Sequence, residues 1–307
     1  MTLLRNLLIR WGRSEQMERF VRGFPLSRHV VSRFIAGDHL ADAVRVAKRL
    51  SKEGFLTCLD LLGESGDEEM ASASRRGTLE VIQAAAELEQ ATVSLKPTQI
   101  GLAVSSDLFK ENLASLLDEA IRVGVALTVD MEKSDTVDKT VGVFSALRTE
   151  GLGLGIVLQA YLHRSVQDLD ALIPKGVRVR LCKGAYDERP EVAFQGLLPI
   201  RKAYLTLAKR MLGKGIDEGG YPEFATHDPI LATSILKEAK EKGRGREGFE
   251  FQMLHGINRP LQERLRDDGY RVRVYIPFGP QWYPYFMRRL AERPANLLFF
   301  LRAVLGK

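Results

Sequence analysis

The sequence predicts an α/β protein built as a closed (β/α)8 barrel, of the TIM type, with an added N-terminal helical arm. Three observations point there. From about Gly54 onward a short apolar run followed by a longer stretch with helical spacing recurs eight times. Strands alternating with helices imply a parallel sheet covered by those helices. Eight such units over about 250 residues match the size of a closed barrel. The division expected is an arm over residues 1–53 and a catalytic barrel over 54–307 that includes the C-terminal helix.

The eight strand candidates, in order, are Phe55–Leu59, Thr92–Leu95, Val125–Val129, Gly155–Leu158, Val177–Leu181, Glu223–Ala225, Phe249–Gln252 and Val272–Ile276. Most are rich in β-branched or aromatic residues and too short for helices. The run at Glu223 has the weakest pattern. Between the runs, Ser134 is placed to cap a helix, and Asp228-Pro229 combines an N-cap with a first-turn proline. Ile200, Ala203, Tyr204, Leu207, Ala208, Met211 and Leu212 share one helical face. Gly124, Gly151 and Gly269 stand where helices should stop. The rival topology is an open doubly wound sheet. It calls for a glycine fingerprint after the first strand, where Asp60-Leu61-Leu62-Gly63-Glu64 stands instead.

Composition narrows the function classes. Apolar residues make up 45% and charged residues 27% of 307, enough to bury a full core. The longest uncharged run, Val274 to Met287, is 14 residues long and broken by prolines and glycine. A membrane-spanning helix needs about 20 apolar residues, so none is expected. Arg5 and Arg10 bracket only a short apolar patch, which is not the pattern of a secretory signal. Two cysteines, Cys58 and Cys182, offer no disulfide framework, and the five histidines lack metal-ligand spacing, so a reducing, cytoplasmic setting without a metal is expected. No serine nucleophile elbow or Walker loop occurs. Of the net charge of +6, residues 1–35 carry +5 and the remainder only +1. The arm reads either as a solvated helix or as a segment drawn to an anionic membrane surface, because Leu3, Leu4, Leu7, Leu8, Ile9, Trp11 and Phe20 interleave with its arginines. No nucleic-acid motif accompanies the charge, so nucleic acid is not an expected partner.

In such barrels chemistry collects at the carboxyl ends of the strands. There the sequence carries Asp60 and Glu64, Lys96, Asp130, Gln159, Arg180 with Lys183, Thr226 with His227, and Tyr275. A single polar strand end is ordinary. Nearly every strand ending this way suggests a site, because charges flanking buried strands cost desolvation unless partnered or functional. The final helix adds Tyr285, Arg288, Arg289 and Glu292 at i, i+3, i+4 and i+7, one face above the eighth strand. Paired guanidiniums clamp a carboxylate or a phosphate. The plainer reading of that stripe is a surface helix with an Arg288–Glu292 pair worth a few tenths of a kcal/mol.

These residues, taken in sequence, resemble the proline dehydrogenase family in its short, monofunctional bacterial form. The resemblance is carried by Asp60-Leu61-Leu62-Gly63-Glu64, Ser94-Leu95-Lys96, Val129-Asp130-Met131-Glu132, Val157-Leu158-Gln159-Ala160-Tyr161, Arg180-Leu181-Cys182-Lys183-Gly184-Ala185-Tyr186, Ala225-Thr226-His227-Asp228, Phe249-Glu250-Phe251-Gln252-Met253-Leu254 and Tyr285-Phe286-Met287-Arg288-Arg289-Leu290. Their order and spacing run from about residue 54 to the end.

The resemblance implies a distorted (β/α)8 flavoenzyme that oxidises L-proline to Δ1-pyrroline-5-carboxylate. It implies FAD contacts at Met131, Gln159, Arg180, Lys183, Gly184, Ala185, Thr226 and His227. Substrate contacts would fall on Lys96, Asp130, Tyr275, Tyr285, Arg288 and Arg289, with Leu254 as an apolar wall and Glu64 and Glu292 as acidic partners of the arginines. Asp130 and Arg180 are the implied catalytic pair: Asp130 as an orienter of Lys96 or Tyr275, and Arg180 stabilising the reduced flavin. Asp60 receives no firm role. Electrons would pass to ubiquinone or another membrane quinone, which gives the basic arm a purpose in peripheral contact with the inner membrane, helped by the apolar tail Leu297–Leu301. A pyrroline-5-carboxylate dehydrogenase would take up the product. Two departures from the family are Cys182, where valine is frequent, and His255, where tyrosine is frequent. The alternatives weighed are a hydroxyproline dehydrogenase, a Schiff-base aldolase-type barrel using Lys96 or Lys183, and a degenerate barrel that only binds.

Overall fold

The computed structural model describes residues 31–147 and 153–292, with isolated positions between Ser14 and Arg19. The expected helix stop at Gly151, most of the arm and the Leu297–Leu301 tail lie outside the described residues, as do the side chains of Arg288, Arg289 and Glu292.

Eight parallel strands close into a barrel in chain order, β1 (Leu56–Leu61), β2 (Thr92–Leu95), β3 (Ala126–Val129), β4 (Leu154–Gln159), β5 (Arg178–Cys182), β6 (Tyr221–Ala225), β7 (Glu250–Leu254) and β8 (Arg271–Phe278). Each of the eight predicted runs lies on one of them. Closure comes from β8 pairing with β1, with Cys58 opposite Tyr275 and Asp60 opposite Pro277.

Side chains alternate between the two faces of each strand. One set, including Leu59, Val93, Leu95, Leu127, Val129, Ile156, Leu158, Val179, Leu181, Phe224, Phe251, Val274 and Ile276, is buried in the main apolar cluster under the helices. At roughly 1.5–3 kcal/mol per buried side chain, this layer dominates the stability of the sheet. The other set is largely polar: Cys58, Asp60, Ser94, Thr128, Arg178, Arg180, Glu223, Glu250, Gln252, Arg273 and Tyr275. The guanidinium of Arg180 on β5 reaches Ser94 on β2, so this set projects into the barrel.

The helices follow the strands. In chain order they are α1 (Leu40–Lys52), α2 (Glu68–Ala86), α3 (Ser106–Val123), α4 (Val137–Leu147), α5 (Ser165–Leu172), α6 (Leu197–Arg210), α7 (Pro229–Glu241), α8 (Arg259–Asp267) and α9 (Trp282–Glu292). Helix α3 shows why they form: Phe109, Leu113, Leu116, Leu117 and Ala120 are buried at helical spacing, and the chain turns away at Gly124. Helix α7 begins as expected, with the Asp228 carboxylate accepting from the Ile230 N–H and Pro229 in the first turn. Ser134 does not cap α4. It opens a short 3-10 turn, Ser134–Thr136, and its hydroxyl donates to Glu188 across 54 residues of sequence, a partner that local pattern cannot reveal.

Helix α1 precedes the first strand, yet its Ala43, Ala47 and Leu50 belong to the main core cluster. A second apolar cluster joins Val31, Phe34 and Ile35 to Trp282, Tyr283, Tyr285, Phe286, Met287 and Leu290 of α9. Gly256 allows this packing: at φ +73 it takes a left-handed conformation, and a side chain there would run into the Arg33 carbonyl.

Candidate active site

At the carboxyl ends of the strands the inward polar residues form two connected groups. In the first, Asp130 immediately follows β3 and accepts three hydrogen bonds. Its Oδ1 accepts from the Ser94 hydroxyl at 2.8 Å and from Arg180 Nη1 at 2.9 Å. Its Oδ2 accepts from the Tyr275 hydroxyl at 2.9 Å. Arg180 Nη1 also donates to Ser94 Oγ at 2.8 Å, and its guanidinium carbon lies 5.4 Å from the Tyr275 ring centroid. A further, weak contact runs from Arg180 Nη2 to Cys58 Sγ at 3.6 Å. Residues from β1, β2, β5 and β8 and the end of β3 are thereby locked in one orientation, which is what a preorganised site requires.

The second group is Lys96 with Asp60. Lys96 Nζ donates to both carboxylate oxygens, at 2.8 and 3.0 Å, and Asp60 has no solvent exposure. Burial pushes the Asp60 carboxyl above its ordinary value, and Lys96 opposes that rise. Burial pulls in the opposite direction on Lys96, but the Asp60 and Asp130 carboxylates outweigh it and hold the ammonium charged. Asp60 is thus the counter-ion of Lys96, a role that sequence reasoning missed. Shared strand parity was the signal for it, since Asp60 on β1 stands opposite Ser94 on β2, two residues before Lys96. The sequence paired Asp130 with Lys96 or Tyr275. The structure hydrogen-bonds it to Tyr275, whose phenol burial and the neighbouring carboxylates raise far above its usual range. Tyr275 therefore remains a donor.

A third set lines the rim after β4, β5 and β6. Gln159 ends β4, is 2% exposed, and donates to the Glu132 carbonyl at 2.7 Å. Lys183 donates to Asp228 at 2.6 Å, and Arg201 makes a two-pronged contact with the same carboxylate at 2.7 and 3.0 Å. Burial alone would raise Asp228; Arg201 and Lys183 override it and hold the group at about 2. His227 Nε2 accepts from the Leu254 N–H at 2.8 Å, which fixes the tautomer with its proton on Nδ1. The Thr226 hydroxyl accepts from the Asp228 N–H. Gly184 adopts φ +105, and any Cβ there would penetrate the Tyr161 ring, so only glycine allows the loop after β5 to turn here. Met131 is buried and Ala185 is exposed.

Two further predicted residues sit away from these groups. Glu64 is exposed, and its backbone N–H donates to Gln281 Oε1, tying the loop after β1 to the residue preceding α9. Tyr285 lies in the second apolar cluster, against which Leu254 packs from β7. The thiol of Cys182 is pushed up to about 12 by burial and donates to the Leu158 carbonyl, so it is no nucleophile near neutral pH.

A closed parallel barrel with ammonium, guanidinium, carboxylate and phenol groups converging at its carboxyl mouth has the arrangement in which (β/α)8 enzymes place their chemistry. The chain belongs to the proline dehydrogenase family, whose model matches residues 43–302, and is accordingly an oxidoreductase. It is 36% identical over 307 residues to proline dehydrogenase 1 of Bacillus subtilis, covering 99% of this chain and 100% of that one. It is 34% identical over 284 residues to proline dehydrogenase of Deinococcus radiodurans, covering 90% of each. The crystal structure of proline utilization A from Bdellovibrio bacteriovorus, inactivated by N-propargylglycine, superimposes with a TM-score of 0.82 at 26% identity. That alignment covers 87% of this chain and 33% of the longer one, so the chain spans about a third of that protein.

Proposed function

We propose that the chain oxidises L-proline to Δ1-pyrroline-5-carboxylate with FAD and delivers the electrons to a membrane quinone. The observation that carries this reading is the locked array of Tyr275, Asp130, Arg180 and Ser94 beside the Lys96–Asp60 pair. Proline is a zwitterion, and its carboxylate needs fixed donors. Lys96 supplies one, together with Arg288 and Arg289 of α9, whose partners would be Glu64 and Glu292, while Tyr275, whose hydroxyl already donates to Asp130, and Tyr285 would touch the substrate as ring contacts. Charge-assisted bonds to a desolvated carboxylate are worth roughly 1.5–3 kcal/mol each. Leu254 forms the apolar wall.

The residues present fit FAD. Arg180 and Lys183 offer cationic donors, and Gln159, Thr226 and His227 offer amide, hydroxyl and imidazole groups along one rim. The side-chain-free Gly184 lets the loop after β5 turn tightly beside them. Met131, Gln159, Arg180, Lys183, Gly184, Ala185, Thr226 and His227 would hold the cofactor. When bound, the flavin supplies the two-electron acceptance that no side chain here can. The protein's own work is orientation. Asp130 already accepts from three donors, so it positions Tyr275 and Arg180 rather than withdrawing a proton from substrate.

The same geometry argues against an aldolase-type barrel. A Schiff-base lysine must be neutral to attack, whereas Asp60 keeps Lys96 charged and Lys183 is paired with Asp228. Among the described residues no helix is long and apolar enough to cross a membrane. Quinone access by peripheral contact through the basic arm is consistent with that. Val31, Phe34 and Ile35 pack against α9, so the deletion that tests the arm is residues 1–30. It should weaken binding to anionic vesicles while turnover with a soluble dye persists. A pyrroline-5-carboxylate dehydrogenase would consume the product.

The deciding experiment is direct. The purified protein should be yellow, and anaerobic L-proline should bleach it faster than hydroxyproline does. A colourless protein whose substrate is trapped by borohydride would overturn the reading.

A further inference from the structure

Beneath the mouth, two glutamates lie inside the barrel, each 1% exposed, and they use their oxygens differently. Glu250 on β7 grips Arg273 with both: Arg273 Nε donates to Oε1 at 2.6 Å and Nη2 to Oε2 at 3.0 Å. Glu223 on β6 uses one. Arg178 donates to its Oε1 from Nε at 2.9 Å and also from Nη2. The second oxygen, Oε2, has no hydrogen-bond partner among the described residues. It faces Arg180 Nε at 3.8 Å, and that nitrogen likewise has none. Glu223 stands opposite Arg180 in the strand register, while its side chain reaches back toward Arg178, two residues earlier on β5. A single column therefore alternates in sign down the barrel: Asp130, Arg180, Glu223, Arg178.

We propose that Glu223 is a positioning residue that holds Arg180 from below, as Asp130 holds it from above, and sets how much positive charge Arg180 presents at the barrel mouth. This rests on the reading that a flavin binds there with Arg180 beside it. The two are 3.8 Å apart in a buried setting, where Coulomb interactions are screened far less than in water. Burial alone disfavours charge on Arg180, and the carboxylates of Asp130 and Glu223 oppose this. Reduction of a flavin by two electrons and one proton leaves one negative charge on the ring system. Removing Glu223's charge leaves Arg180 less compensated and favours the reduced form. Removing Arg178's charge leaves more of Glu223's charge to act on Arg180 and favours the oxidised form.

The test measures the midpoint potential of the bound flavin in the wild-type holoenzyme and in Glu223→Gln, Arg178→Gln and the double variant. Glutamine at 223 keeps an acceptor for Arg178. We expect Glu223→Gln to shift the oxidised–reduced equilibrium about tenfold toward reduced, about 30 mV for a two-electron couple. Arg178→Gln should shift it the other way, and the double variant should lie between the two. A merely structural role would leave all three within twofold of wild type or move both single variants in the same direction, and either result overturns the proposal. If Glu223→Gln does not fold, Arg178→Gln against the double variant gives the same comparison, since they differ only in the charge at 223. A wild-type protein without flavin would instead sink the functional reading beneath this inference, and no variant is needed to see it.

Discussion

The lower and upper layers of the barrel interior both pair acids with bases, yet they enclose those pairs to different degrees. Below, Arg273 is held by Glu250 and by the carbonyls of Thr57 and Gln90, and side-chain exposure is 6% or less for Arg178, Glu223, Arg273 and Glu250. Above, Asp130 and Lys96 are also bonded, yet they keep 16% and 21% of their side-chain surface open at the mouth. A buried ion pair that is fully enclosed is weak evidence for stability, because desolvation cancels much of the attraction. The same pair opening toward a cleft presents oriented charge to a ligand at little reorganisation cost. The gradation is continuous, because Arg180 and Glu223, enclosed as fully as Arg273 and Glu250, link the buried ions to the open ones.

The strongest way to break that contrast is Glu250→Gln. It strands a buried guanidinium, and we expect a loss of about 3–5 kcal/mol in the unfolding free energy, read from urea titration, with the turnover of the folded fraction little changed.

His255 probes the rim, where burial and the nearby Arg49 and Arg259 lower its imidazole to about 4 from an ordinary 6.5. A group held neutral in the fold protonates first in the unfolded chain. Its contribution is therefore complete above pH 6.5 and lost as the pH falls from 6.5 through 4. The whole span is about 3 kcal/mol. His255→Phe should flatten the dependence of Tm on pH across that window, and an unchanged slope would show that other groups set it.

In the upper layer, Asp130→Asn should lower kcat about a hundredfold, equivalent to about 2.7 kcal/mol, with a smaller fall in stability than Glu250→Gln. No new ionisation should enter the pH profile; one that did would mark Asp130 as a proton acceptor. The smallest effect sharpens the comparison from below. Replacing both partners, Arg178→Met with Glu223→Leu, should cost less than Glu223→Leu alone, because the single change strands Arg178 while in the double one only Arg180, still held by Asp130, loses a partner.

Much of this was legible in the sequence, and the failures have a common cause. All eight strands were marked by apolar runs, because the outward face of every strand packs under a helix. The weakest was β6, Tyr221–Ala225, where Glu223 projects inward and Pro222 lies in the strand, so both apolar alternation and β propensity are diluted. The strand-end residues Lys96, Asp130, Arg180 and Tyr275 were found by position alone, and they meet at the mouth. Asp60 stayed without a role because its partner is 36 residues away and adjacent only once β1 and β2 pair. Arg178, Glu223, Glu250 and Arg273 looked like ordinary strand charges, since nothing in a linear pattern distinguishes a charge facing solvent from one facing its counter-ion inside a barrel.

By itself, then, the chain determined its repeat, its family and the set of polar residues gathered at one end of the strands, because hydrophobic periodicity and strand ends are local properties. Which acid serves which base was decided only by closure of the barrel. Register and curvature bring β5 against β6 and across from β2, and at separations of 3–4 Å the choice of partner is a matter of three-dimensional distance rather than of residue type.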